Sequence, residues 1–171
     1  MALQAQRLHL AVGNLDFGRI ALAVQLGPHP QAGLGARSPE GGKLLAALRS
    51  SKVDMHYAQS EDGGKTWGPV RSLGFKGHCP YLVRHSSGVI LLAHRLPATS
   101  LHWTSDDGKT WQGPVRIDSV GRAYPSMVEL PDGLVYCVYY EEGKGSSVRG
   151  MRLRVDPKEG VRVVPASGKR N

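Results

Sequence analysis

The sequence predicts an all-β protein assembled from repeats of four short strands. Three observations predict it. An eight-residue pattern, (S/T)-x-D-x-G-x-T-W, occurs twice, at Ser60–Trp67 and Thr104–Trp111. Landmarks outside the pattern recur at nearly the same spacing: Gly42, Gly88 and Gly133 are 46 and 45 residues apart, Pro80 and Pro125 are 45 apart, and Trp67 and Trp111 are 44 apart. The composition, with 22 Gly and 11 Pro in 171 residues, suits short strands joined by many turns.

A shared period of this size is the length of one four-stranded propeller blade. In order along the chain, residues 1–42 are the hardest to read. Leu8–Val12 and Ile20–Val24 are short apolar runs that periodicity alone cannot separate into strand or helix. Gly27-Pro28-His29-Pro30 and the stretch from Gly33 to Gly42 read as loop. This segment is either a degenerate blade or a sequence that folds unlike the rest. From residue 43 the repeat is visible. Lys43–Arg49, Val89–Arg95 and Leu134–Tyr140 are equivalent strands, each entered from a glycine. Tyr81–Arg84 and Ser126–Leu130 precede the last two, and Leu101–Thr104 leads into the second box. Pro114–Ile117 closes that unit. Ser147–Val155 alternates as a half-exposed strand does. Asp156–Gly160 stands as a plain turn where a third box would be, and Val161–Val164 is a last short strand. The expected division is therefore 1–42, blades over 43–164, and a basic tail over 165–171.

The chemistry of the repeated octapeptide explains its residues. A carboxylate at Asp62 or Asp106 accepts hydrogen bonds from nearby backbone N–H groups and closes a turn. Gly64 and Gly108 take backbone conformations that other residues resist. Ser60, Thr66, Thr104 and Thr110 add hydroxyls, and Trp67 and Trp111 lay an apolar body over the turn. The pattern resembles the Asp box, or bacterial neuraminidase repeat, of sialidase-like β-propellers. The resemblance implies that the boxes are scaffold, on turns between the third and fourth strands of successive blades and far from any catalytic pocket. It also implies a ring of six blades. About three are visible here, so the chain looks like part of a six-bladed propeller, its C-terminal half. An unclosed propeller exposes sheet faces and edges, and self-association through them is an expectation.

Lys plus Arg number 22 and Asp plus Glu 14, a formal charge of +8. The positive residues are scattered, with no dense run before Gly168-Lys169-Arg170 and no aromatic–basic interleaving. Nucleic acid is not an expected partner. No stretch of about 18 apolar residues suggests a membrane span. Met1–Leu26 lacks a basic segment followed by a clean apolar block, so no secretory signal is visible and the compartment is left open. Cys79 and Cys137 are the two cysteines; pairing and two separate thiols both fit. No metal or cofactor is expected, since His78 and Cys79 are adjacent and no second ligand cluster appears.

The sialidase resemblance implies an exo-α-sialidase chemistry on glycans ending in sialic acid or another anionic carbohydrate. Family arginines grip the substrate carboxylate, a tyrosine activated by a glutamate attacks the anomeric carbon, and an aspartate serves as acid/base. Carried over by position, Arg95 ends an inner-type strand and matches a carboxylate-gripping arginine, with Arg49 as its equivalent one blade earlier. Tyr124, in Ala123-Tyr124-Pro125-Ser126, matches the nucleophile, although Pro125 interrupts the family's Tyr-Ser pattern. Glu141 matches an acidic residue late in its strand. Beside these stand the bland readings: a solvated strand end for each arginine, a packed rim position for Tyr124, and a surface carboxylate for Glu141. Gly18-Arg19-Ile20 is a weak echo of the N-terminal arginine motif, and no acid/base aspartate can be placed. Removing one member of a catalytic set costs nearly as much as removing all of it, so the isolated chain is expected to be inactive. The rivals are a non-catalytic propeller module that binds carbohydrate or protein, and a decayed fragment.

Overall fold

A computed structural model describes residues 42–49, 53–119, 124–141 and 146–165, and the backbone of residues 19–26. Among these residues twelve strands form three four-stranded antiparallel sheets, each a meander of consecutive strands. The first holds β1 (Arg19–Leu26), β2 (Lys43–Arg49), β3 (His56–Ser60) and β4 (Arg71–Ser72). The second holds β5 (Tyr81–Arg84), β6 (Ile90–Arg95), β7 (Thr99–Thr104) and β8 (Gln112–Arg116). The third holds β9 (Ser126–Glu129), β10 (Val135–Tyr140), β11 (Val148–Asp156) and β12 (Gly160–Val164). The first strands of successive sheets adjoin one another, β1 beside β5 and β5 beside β9. Those strands are the inner ones, and the chain is a partial propeller of three four-stranded blades.

β1 pairs antiparallel with β2 from Arg19 opposite Arg49 to Leu26 opposite Lys43. The first blade thus draws its inner strand from the segment ahead of residue 43, and the run Ile20–Val24 lies inside it. Leu8–Val12 and Gly168–Arg170 lie outside the described residues.

Alternation along the strands builds two cores, because neighbouring residues on a strand face opposite sides of its sheet. Leu45 and Ala47 from the first sheet meet Leu82, Ile90 and Leu92 from the second, with Met55 and Leu73 completing the cluster. On the other side of the second sheet, Leu91, Ala93, Leu101 and Trp103 meet Met127, Val135, Cys137, Tyr139 and Leu153 of the third. Each fully buried leucine-sized chain contributes about 1.5–3 kcal/mol relative to exposure. The middle sheet is covered on both faces, so β6 and β7 are buried throughout apart from Arg95, as central strands of a stack must be.

The two boxes fold as the octapeptide dictates. In the first, the Thr66 amide and hydroxyl donate to the two Asp62 carboxylate oxygens at 2.9 and 2.7 Å. The Ser60 hydroxyl donates to Asp62 Oδ1 at 2.8 Å and accepts from Gly64 N–H at 2.8 Å. The second repeats every bond: Thr110 amide and hydroxyl on Asp106 at 2.9 and 2.6 Å, Thr104 hydroxyl on Asp106 at 2.6 Å, Gly108 N–H on Thr104 at 3.1 Å. These bonds hold the Asp62 carboxyl near pKa 2, first through the Thr66 amide and then its hydroxyl. For Asp106 partial burial pulls upward, yet the Thr104 and Thr110 bonds outweigh it and the net shift is downward. In the third blade Asp156 keeps only the backbone part, accepting from the amides of Lys158 and Glu159 at 2.7 and 3.0 Å.

Candidate functional site

Meander topology sorts the molecule into two ends. The boxes lie at the end where third strands finish. The opposite end gathers the finishes of second strands and the starts of first strands. Arg49, Arg95 and Tyr140 end β2, β6 and β10, and Glu141 follows directly. Tyr124 lies just ahead of β9. All four sequence-selected candidates therefore share the end opposite the boxes. One expectation is corrected: Arg95 ends the second strand of its blade, while the inner strand is β5. A buried run such as 89–95 looks like an innermost strand, but here burial comes from sheets stacked on both faces.

The two arginines do the same thing one blade apart. Arg49 Nη1 lies 3.5 Å from Cys79 Sγ, on the loop leading into the second blade. The Arg95 guanidinium lies 4.4 Å from the Tyr124 ring centroid, on the loop leading into the third. Cys79 and Tyr124 are 45 residues apart, and each precedes a proline. Arg95 is further tied to the first junction, since its amide donates to His78 O at 2.9 Å. A guanidinium over a tyrosine face is a cation–π contact, about 0.5–1 kcal/mol where solvent reaches it. Tyr124 is 49% exposed, and its ring stacks on Tyr140 at 5.6 Å with an 8° interplanar angle.

Glu141 does not meet Tyr124 in any described contact. Its carboxylate accepts from Arg149 Nη1 at 3.2 Å, and its amide bonds Ser147 O at 2.9 Å. Arg149 also donates through Nε to Asp118 Oδ2 at 2.8 Å, and the Tyr139 hydroxyl donates to the same oxygen at 2.6 Å. The Asp118 side chain is only 7% exposed. Burial and then Asp118 push the Tyr139 hydroxyl up, so it stays protonated. The Asp118 charge raises Arg149. The tyrosine with a carboxylate partner is thus Tyr139, not Tyr124, and it is a buried hydrogen-bond donor. Sequence reading missed Asp118, Tyr139 and Arg149; the partners lie 21 and 31 residues apart with no motif between them.

Both cysteines are free thiols. Burial pushes the Cys137 thiol up to about 12, which makes it inert at neutral pH. His94 and His102 face each other between the first two sheets, Nε2 to Nδ1 at 2.9 Å, with Phe75 stacked on His102 at 3.6 Å. Burial lowers both to about 4, His94 also through the charge of His102, so both are neutral at physiological pH. Among the described residues no group of three or more His, Cys, Asp or Glu side chains could hold a metal ion. No helix among them is long and apolar enough to cross a membrane.

Two solved structures share the fold. A protein of unknown function from Dyadobacter fermentans DSM 18053 matches with a TM-score of 0.50 at 18% identity, over 71% of this chain and 50% of that one. A mutant of NanB sialidase from Streptococcus pneumoniae matches with a TM-score of 0.50 at 20% identity, over 74% of this chain and 21% of that one. The chain spans half of the first neighbour and about a fifth of the second, and at these identities the likeness is one of fold. No curated protein matches it. Residues 36–137, more than half of the chain, match the model of the BNR repeat-like domain, and the chain belongs to that family.

Proposed function

We propose that this chain carries the glycan-gripping side of a sialidase-type hydrolase acting on terminal sialic acids, as the C-terminal part of a larger propeller. In that reading Arg49 and Arg95 hold the substrate carboxylate, for which a planar guanidinium fork is the best-matched donor. Tyr124 attacks the anomeric carbon, its hydroxyl proton passing to Glu141 as base, and a glycosyl–tyrosine bond forms while the leaving alcohol takes a proton from an acid elsewhere in the ring. Water then breaks that bond. Glu141 acts from the same rim. The observation that carries the proposal is the Arg95 guanidinium set 4.4 Å over half-exposed Tyr124 at the end away from the boxes.

A second reading, a non-catalytic module binding carbohydrate or protein on the same face, is favoured by one contact. Glu141 is held by Arg149 rather than by the Tyr124 hydroxyl. Turnover of a fluorogenic sialoside separates the two. The isolated chain should bind a methyl sialoside without turnover, and a chain extended by further blades should hydrolyse the fluorogenic one. Tyr124→Phe and Arg95→Ala in that extended form should abolish hydrolysis with the fold intact. Binding without turnover by every extended form selects the second reading. Full turnover by both variants overturns the site assignment.

A further inference from the structure

Shifting the first blade by 44 residues superimposes its sequence on the second, box on box. Three of the positions that then differ bear on one place in the fold. Leu101, Trp103 and Val115 of the second blade correspond to Tyr57, Gln59 and Arg71 of the first. In the second blade the set is core: Leu101 is fully buried, Trp103 is 6% exposed, and Val115 packs against the same cluster. Trp103 fills the gap to the next blade so closely that a Cβ on Gly160 would lie 2.8 Å from its ring. In the first blade the smaller Gln59 stands there, its amide donating to Asp107 O of the second box at 2.9 Å. A cavity of about 340 Å³ opens beside it, lined by Tyr57, Gln59, Glu61, Trp67, Pro69 and Arg71.

We infer that this cavity is a binding site for a neutral pyranose sugar, separate from the arginine–tyrosine end. Its volume is within the range of small-ligand sites. An apolar wall from Trp67 and Pro69 suits the C–H face of a sugar ring, and the indole N–H is already occupied by Gly64 O at 3.1 Å. Among the described residues, Arg71 has no ion pair and the Tyr57 hydroxyl no hydrogen-bond partner. The lining carries both signs. Arg71 only donates, Gln59 Oε1 and the Glu61 carboxylate, whose Oε2 is paired with Lys43 Nζ at 2.7 Å, only accept, and Tyr57 does either. Hydroxyls both donate and accept, so a polyhydroxylated neutral ligand satisfies this set where a single-signed ion leaves half of it unmet. The second blade fills the matching places with three apolar side chains of its core.

The test is the indole N–H spectrum of the full chain, which has three tryptophans, with the Trp67 signal assigned through Trp67→Phe. Methyl glycosides of glucose, galactose, mannose and N-acetylglucosamine, and methyl glucuronide as the anionic control, are titrated in the millimolar range. At least one neutral glycoside should move the Trp67 signal and leave Trp103 and Trp111 in place. Arg71→Ala, at an exposed site, and Gln59→Trp, which installs the second blade's residue, should each weaken that response about tenfold, or 1.4 kcal/mol. Four results overturn the inference: no response to any neutral glycoside, a response to the glucuronide alone, equal movement of all three indoles, or an undiminished response in folded Gln59→Trp.

Discussion

The first and second boxes make the same carboxylate and hydroxyl hydrogen bonds and put their tryptophans to different uses. Trp67 caps its own turn through Gly64 O and lines an open cavity. Trp111 packs against the core between the first two sheets, edge-on to Phe75 at 6.4 Å, and its buried indole N–H has no partner. The turn is therefore written locally, by side chain–backbone bonds within eight residues. The fate of the ring is written by the neighbouring blade. The third blade shows the remaining case: Asp156 without its hydroxyls or tryptophan still closes a turn.

Removing the rings should break this comparison most sharply. Trp111→Ala leaves a void between two sheets and should cost about 3 kcal/mol in chemical denaturation. Trp67→Ala should cost well under half of that; equal losses would mean that Trp67 is as much a core residue as Trp111.

Gly160 and Gly133 both have positive φ, 92° and 75°, but only Gly160 sits against a ring. Gly133→Ala should cost about 1–2 kcal/mol through backbone conformation alone. Gly160→Ala adds a clash with Trp103 and should cost more by thermal or denaturant unfolding. The same order in a Trp103→Leu background would show that the ring is not the cause.

Acid should dissect the blades in two stages. The His94–His102 pair is lowered from 6.5 to about 4, so folding favours the neutral forms. Its contribution is complete above pH 6.5 and is lost as pH falls through 4. Asp62 is lowered from 3.8 to about 2, so its contribution is complete above 3.8 and is lost as pH falls through 2. His102→Phe should roughly halve the slope of the stability profile between pH 6.5 and 4, since burial still lowers His94, while leaving the lower stage unchanged. A wild-type slope surviving in that variant would place the sensitivity elsewhere.

The smallest effect should separate the boxes least. Thr66→Val and Thr110→Val remove the same hydroxyl bond to the box carboxylate, and both threonines are exposed. The two losses should agree within about 0.5 kcal/mol. A clear difference would show that the neighbouring blade reaches into the turn itself.

What was legible in the sequence follows this division. The boxes, the period and the parse of the third blade could be read because each is set by bonds between near neighbours or by strict alternation. The place of Arg95 could not, since an unbroken apolar run has the same appearance in any strand buried on both faces. Nor could the Asp118–Tyr139–Arg149 cluster, whose members come from three separate segments. Arg49 and Arg95 were visible as strand ends, but their targets, Cys79 and Tyr124, depend on how one blade meets the next.

That pair of grips has a consequence for any anion arriving at the rim. The guanidinium that would welcome it is already engaged in bracing the following blade. In the proposed function, capture at Arg95 would use the in-plane N–H edge that stacking on Tyr124 leaves free, so a bound anion would sit at the joint itself. On that proposal, a bound anion would be felt where one blade is braced against the next.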